Sequence, residues 1–400
     1  MANTDVERLL ALFESGDLLR PDASLPNTVD LARALAAVAG APRFESERGA
    51  ERIASLIGEP EHLVLVLADG LGMNLIERLP ADAFLRKNLA LELRAVFPSS
   101  TAPALTSLAT GVWPAAHAVP AWFTYLPEVA LTGIVLPFAD RASGKDLAAA
   151  GAGHRQVFPA SVQAQFFRRD FRAYQPRQIA SSAYTRYITG GPGAEGYTGL
   201  EGGIDAVISR LRSAAGPTYT YLYFPEVDTK EHEGGVGTAS VWEQVLRVDR
   251  TLARLKESLG QDSRVLLSAD HGQITVPDGE KRLLADGDEL QSLLRVWPPA
   301  GEPRTTSFHV RRGCRARFAE AFRERFGEEF VLITADDAES LELFGPGIMS
   351  PATRGRVGDF VAIPLGAQAF TYMGEPGVHA MKGMHGGLTP GEMRIPLVAA

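Results

Sequence analysis

Three apolar runs frame the chain. "HLVLVLA" (62–68), "TYTYLYF" (218–224) and "RVLLSA" (264–269) each have strand length and no alternating polar face. Strands buried on both faces read this way, and they belong at the centre of parallel sheets. Between the second and third, "VWEQVLRVDRTLARLKESL" repeats apolar residues at helical spacing. Strand, helix, strand predicts a crossover unit in an α/β fold. Upstream, "LPNTVDLARALAAVAG" offers Asn27 or Thr28 as an N-cap, an Ala/Leu-rich body and a terminal glycine, which together predict another helix. The opening "MANTDVERLLALFESGDLL" has the same helical spacing.

From 278 to 375 the texture changes. "TTSFHVRR", the charged amphipathic "RARFAEAFRERFGEEF" and "FVAIPL" predict a smaller α+β insertion, leaving 1–277 and 376–400 as the core. The segment 120–200, with glycine-rich "ITGGPGAEGYTGLEGG", reads as loop-heavy and as a candidate cleft lining. The chain has no internal repeat.

Composition narrows the classes. An apolar content of 45% with 22% charged residues over 400 positions excludes a disordered or fibrous chain. A net charge of −8 argues against a nucleic-acid polymer as partner and leaves small substrates as the expectation. Cys314 is the single cysteine, so any metal must be held by Asp and His. With no signal-peptide pattern in the opening segment, the expected location is cytoplasmic. No apolar stretch approaches the roughly 18–20 residues that cross a bilayer, so no membrane partner is expected.

The chemistry gathers at strand ends, where open parallel sheets bind ligands. Asp69 closes "HLVLVLAD", Asp270 and His271 open "DHGQ", and Asp228 with His232 follow the middle strand in "PEVDTKEHEGG". Asp228 and His232 are four apart and share a face on a helical turn. His385, in "GMHGG", sits between glycines that permit close backbone approach. Each taken alone has a structural explanation: a turn, a cap or a hydrogen-bonded core histidine. Their order and placement together point to metal ligation. In "FPSSTAPALTSLATG", Thr101 stands two residues before Pro103 at a predicted helix entrance, either as a plain N-cap or as a group aimed at an oxyanion.

These segments, in this order, resemble the alkaline phosphatase superfamily, and within it the nucleotide pyrophosphatase/phosphodiesterase branch. The resemblance implies an α/β/α sandwich around a mostly parallel sheet. It implies two divalent ions, usually zinc, with manganese as an alternative. One would be held by Asp69, Thr101, Asp270 and His271, the other by Asp228, His232 and His385. It further implies that Thr101 is the nucleophile and becomes phosphorylated during hydrolysis of a small phosphodiester or pyrophosphate. Ser100 carries the competing hydroxyl.

Departures from the family pattern bear on substrate. Ala102 stands where phosphomonoesterases place an arginine, which favours a diester. Where the diesterases supply an asparagine about twenty residues after the nucleophile, this chain has Trp122, whose indole N–H is a candidate donor. Tyr184, and beside it Tyr187, are candidates for stacking on a base or aryl group. A sulfatase lacks its nucleophile motif here. A phosphomonoesterase, a phosphonate hydrolase, a phosphomutase and a catalytically inactive metal-binding module are the remaining readings.

Overall fold

The strand His62–Ala68 is paired in parallel on both sides, with Thr218–Phe224 in register from His62↔Thr218 to Ala68↔Phe224 and with Ser263–Ser268 on the other edge. Six of its seven residues are buried, which is why the run has no polar face. A computed structural model describes residues 4–42 and 48–400 of the protein. Around this strand it orders a seven-stranded sheet: Leu89–Arg94, Arg394–Ala399, Ser263–Ser268, His62–Ala68, Thr218–Phe224, Asp170–Pro176 and Glu195–Tyr197. Arg394–Ala399 runs antiparallel to both neighbours, and the other pairings are parallel. The architecture is the α/β class predicted from the alternation of elements.

Helix Ala239–Ser258 connects two of the central strands and buries Val241, Val245, Val248, Leu252 and Leu255. These recur every three or four residues, the stripe that seats a helix on a sheet. Helix Thr28–Val38 is capped by Asn27, whose Oδ1 accepts from the Val29 and Asp30 amides at 2.9 and 3.0 Å. Thr28 is therefore the first helical residue and Asn27 the cap. No helix among the described residues is long and apolar enough to cross a membrane.

A second sheet has the order Phe330–Thr334, Phe360–Pro364, Thr306–Phe308, Ala300–Gly301, Phe123–Leu126, Leu131–Ile134 and Ala139–Asp140, antiparallel throughout. Helix Arg315–Phe326 packs its own aromatic cluster, with Phe318, Phe322, Phe326, Phe330 and Phe370 buried together. This layer is not made from 278–375 alone. Three of its strands come from 123–140, joined through the Gly301↔Phe123 pair. Strands of two to four residues are too short to show a period, so the loop-heavy reading of that segment had nothing to count.

Candidate metal centre

Asp69 and Asp270 follow adjacent parallel strands, so the register of the sheet brings them together at its carboxyl edge. The Asp69 amide continues the ladder to Phe224 O at 2.9 Å, and the Asp228 amide donates to Asp69 O at 3.1 Å. Asp228 and His232 then lie one turn apart on helix Glu226–Gly234. Gly383–Met384 pairs antiparallel with Ile274–Thr275, immediately after the "DHGQ" turn. That two-residue ladder carries His385 to His271.

The turn after the first strand needs a glycine. Gly70 has φ +74°, and a Cβ there would come within 2.9 Å of the Asp228 Cα and of a Glu231 carboxylate oxygen. Its amide donates to Asp270 Oδ1 at 3.2 Å.

The candidate ligands fall into two groups: Asp69, Asp270 and His271, all buried, and Asp228, His232 and His385, half-buried. His271 Nε2 lies 3.5 Å from Asp69 Oδ1, 3.4 Å from Asp270 Oδ2 and 3.2 Å from Thr101 Oγ1. In the second group His232 Nε2 is 3.3 Å and His385 Nε2 3.8 Å from Asp228 Oδ1. Ligand atoms on a tetrahedron with bonds of about 2.0–2.1 Å stand about 3.3–3.4 Å apart, so both groups have the spacing of a shared cation. Asp69 Oδ1 and Asp270 Oδ2 are buried without a hydrogen-bond partner, which the protein alone does not compensate.

Each imidazole is oriented by a main-chain carbonyl. Nδ1 faces Gly272 O in His271 at 3.1 Å, Gly383 O in His232 at 2.8 Å and Ser99 O in His385 at 3.1 Å. A carbonyl only accepts, so Nδ1 carries the proton and Nε2 presents its lone pair. Burial, followed by the Asp270 and Asp228 charges, raises the Asp69 carboxyl well above its ordinary value. Burial and the neighbouring His271 and His232 hold His385 well below its own. Left to themselves these side chains resist charge, and a divalent cation relieves that resistance.

Thr101 is the first residue of helix Thr101–Thr110, with Ser100 as its cap. Its hydroxyl reaches a cavity of about 220 Å³ shared with Asp228, His232, His385 and Glu302. Trp122, Phe123, Pro303, Val378, Met381 and Met384 wall the same cavity. The hydrogen bond of Trp122 in this wall is made by its backbone amide, donated to Glu302 Oε1 at 2.6 Å, and not by the indole N–H expected to meet substrate. Ser100 is buried and is absent from the cavity wall.

Tyr184 does not reach the cavity. It is 3% exposed and its hydroxyl shares a hydrogen bond with Thr106 Oγ1 at 2.9 Å, so it supports the Thr101 helix from behind. Tyr187 donates to Ala160 O and stacks on Phe158. Both rings are apolar enough to be drawn into the core once strands and helix close over them.

Three contributors escaped the sequence reading. Tyr223 donates its hydroxyl to Asp69 Oδ2, and Gln273 donates its amide to Asp228 Oδ1. Gln273 closes "DHGQ" with no ligand chemistry of its own to mark it, and Tyr223 lies inside a strand run whose pattern signals only core. Glu302 sits in the turn of a short hairpin, and its only signal is an acid between Gly301 and Pro303.

The family model described as type I phosphodiesterase / nucleotide pyrophosphatase matches residues 63–388. Among solved structures, murine ectonucleotide pyrophosphatase / phosphodiesterase 5 is similar at TM-score 0.64 and 16% identity, over 84% of this chain and 87% of that one. An inactive threonine-to-alanine form of the murine protein, in complex with AMP, aligns at TM-score 0.63 and 15% identity over 84% and 87%. Phosphonoacetate hydrolase from Sinorhizobium meliloti, in complex with phosphonoformate, aligns at TM-score 0.61 and 18% identity over 85% and 90%. At these identities the structural neighbours speak for the fold. No curated protein matches the sequence.

Proposed function

The chain belongs to the type I phosphodiesterase / nucleotide pyrophosphatase family, metal-dependent hydrolases of phosphoric esters, and from that premise we propose that it cleaves small phosphodiesters through a phosphothreonine formed on Thr101. The observation that carries this reading is the position of the Thr101 hydroxyl. It stands at a helix entrance on the cavity wall, 3.2 Å from His271 Nε2.

Asp69, Asp270, His271 and Thr101 would hold one divalent cation and Asp228, His232 and His385 the other. Bound there, the pair would supply neutralising charge to the attacking and leaving oxygens of an in-line displacement at phosphorus. The remaining work falls to the chain. Thr101 Oγ1 gives up its proton to solvent and attacks phosphorus, the bond to the leaving oxygen breaks and that oxygen takes a proton from water, and a further water hydrolyses the phosphothreonine, restoring the Thr101 hydroxyl and releasing the phosphomonoester. The amides at the start of the Thr101 helix face the developing negative charge. Ala102, adjoining the nucleophile, is buried in the core away from the cavity wall and brings no cation to the extra charge of a monoester. The chemistry of a nitrogen and oxygen donor set fits zinc, with manganese as the alternative.

Thr101→Ala should lower turnover by at least about 10³-fold, or roughly 4 kcal/mol of transition-state stabilisation, with metal content kept. Thr101→Ser should retain measurable activity. A covalent label mapped to Ser100, or an active Thr101→Ala enzyme, would overturn the reading.

A further inference from the structure

The cavity beside Thr101 holds one acid that belongs to neither ligand group. Glu302 is 5% exposed and fixed from several sides. Its Oε1 accepts the Trp122 amide at 2.6 Å, and its own amide donates to Thr305 O at 2.7 Å. A Cβ added at Gly386 would lie 2.8 Å from the Glu302 Cβ, so the side chain is wedged against the backbone next to His385.

No lysine or arginine is among the described residues of the cavity wall. Behind Phe123, the Arg141 guanidinium lies 3.8 Å from the ring centroid and is already forked onto Glu375, at 2.5 and 2.7 Å. Lys382 is paired with Asp278 and Lys230 with Glu233. A carboxylate or second phosphate on a substrate is ordinarily met by such a cation, most effectively by an arginine fork. Here a second anion would lose its hydration among Trp122, Phe123, Met381 and Met384 and face a like charge.

We infer that this cavity selects a phosphodiester whose substituent retained on phosphorus is an aryl or alkyl group without further negative charge, and that Glu302 is the residue that enforces the selection. The inference rests on the phosphodiesterase reading and adds the substrate class to it. Specificity of this kind comes from a repulsive element as much as from attractive ones. The fold shared with phosphonoacetate hydrolase, whose ligand bears a carboxylate beside phosphorus, therefore does not extend to its ligand.

The test compares phenyl 4-nitrophenyl phosphate with 3-carboxyphenyl 4-nitrophenyl phosphate, which differ by one carboxylate. It uses zinc-loaded and manganese-loaded enzyme at about pH 8.5, where a buried carboxyl raised to about 7 is ionised. Calorimetric titration with phenyl phosphate and 3-carboxyphenyl phosphate supplies a readout that does not depend on turnover. The carboxylate should cost at least about tenfold in both kcat/KM and Kd, and Glu302→Gln, whose amide still accepts from Trp122, should shrink the gap to below about threefold. Equal handling of the two compounds by the wild-type protein, a preference for the carboxylate, binding of neither phosphate, or an unchanged gap in a natively folded Glu302→Gln protein would each overturn the inference. If the phosphates are discriminated in binding but neither diester is cleaved, the phosphodiesterase reading falls and the selection stands.

Discussion

His271 stacks on His385, with ring centroids 3.8 Å apart and planes at 18°, although the two imidazoles belong to different ligand groups. The contact is made by the short ladder that pairs Ile274 with Met384. Both rings turn Nδ1 to a carbonyl, so both present neutral Nε2 atoms toward their own group. The two groups share a wall, and a change in one is felt by the packing of the other.

Asp228→Ala should leave the fold intact and lower the metal content from the proposed two divalent ions per chain to about one, because the residue lies on a helix beyond the sheet and its partners keep their backbone contacts. Elemental analysis after gel filtration reads the stoichiometry. Two retained ions with full activity would remove Asp228 from the ligand set.

Tyr223→Phe tests the support of the buried group. Its hydroxyl is the donor to Asp69 Oδ2, and loss of such an outer contact typically lowers metal affinity by about 10–100-fold. Chelator competition should show this loss for one ion and spare the other. An unchanged affinity for both would make the hydrogen bond incidental.

Glu302 sets a pH dependence in the metal-free protein. Burial raises its carboxyl from 4.5 to about 7. Between those values the native state holds a proton that the unfolded chain has released, so stability falls as pH rises through this window. Glu302→Gln removes the effect. At about pH 8 the variant should be more stable than wild type, by an order of about 3 kcal/mol, and at about pH 4.5 the difference should vanish. Urea unfolding at the two pH values decides. A constant difference would show that the carboxyl titrates normally.

Gly70→Ala places a side chain on a residue with φ +74° and drives its Cβ to 2.9 Å from the Asp228 Cα. Strain of this kind costs about 1–3 kcal/mol. Both thermal stability and binding of the second ion should fall, since the displaced atom is backbone of a candidate ligand. A variant with wild-type melting temperature and metal content would show that the turn relaxes freely.

The parallel strands were legible because His62–Ala68 is covered on both faces, which leaves a continuous apolar run in the sequence. Asp69 and Asp270 stand out as candidates because the chain places them directly after such runs, whereas His385 follows only the two-residue strand Gly383–Met384. Phe123–Leu126, Leu131–Ile134 and Ala139–Asp140 were not legible, since strands of two to four residues show no period, and the pair that joins their meander to the rest of the sheet, Gly301↔Phe123, links residues far apart in the chain. Tyr184 misled the reading because a tyrosine beside a glycine-rich stretch looks available until Thr106 takes its hydroxyl. Glu302 acquires its character only from burial, which the short hairpin 300–308 does not announce.

The two sheets divide the labour of the cavity. The candidate metal ligands ride on the carboxyl edge of the parallel sheet and the segments tied to it, while Trp122, Phe123, Glu302 and Pro303 ride on or beside the antiparallel one. On the proposed reading, selectivity is a separable part of this molecule: side chains of the second sheet can be exchanged, and with them the compounds accepted, while the candidate metal ligands and Thr101 stay where they are.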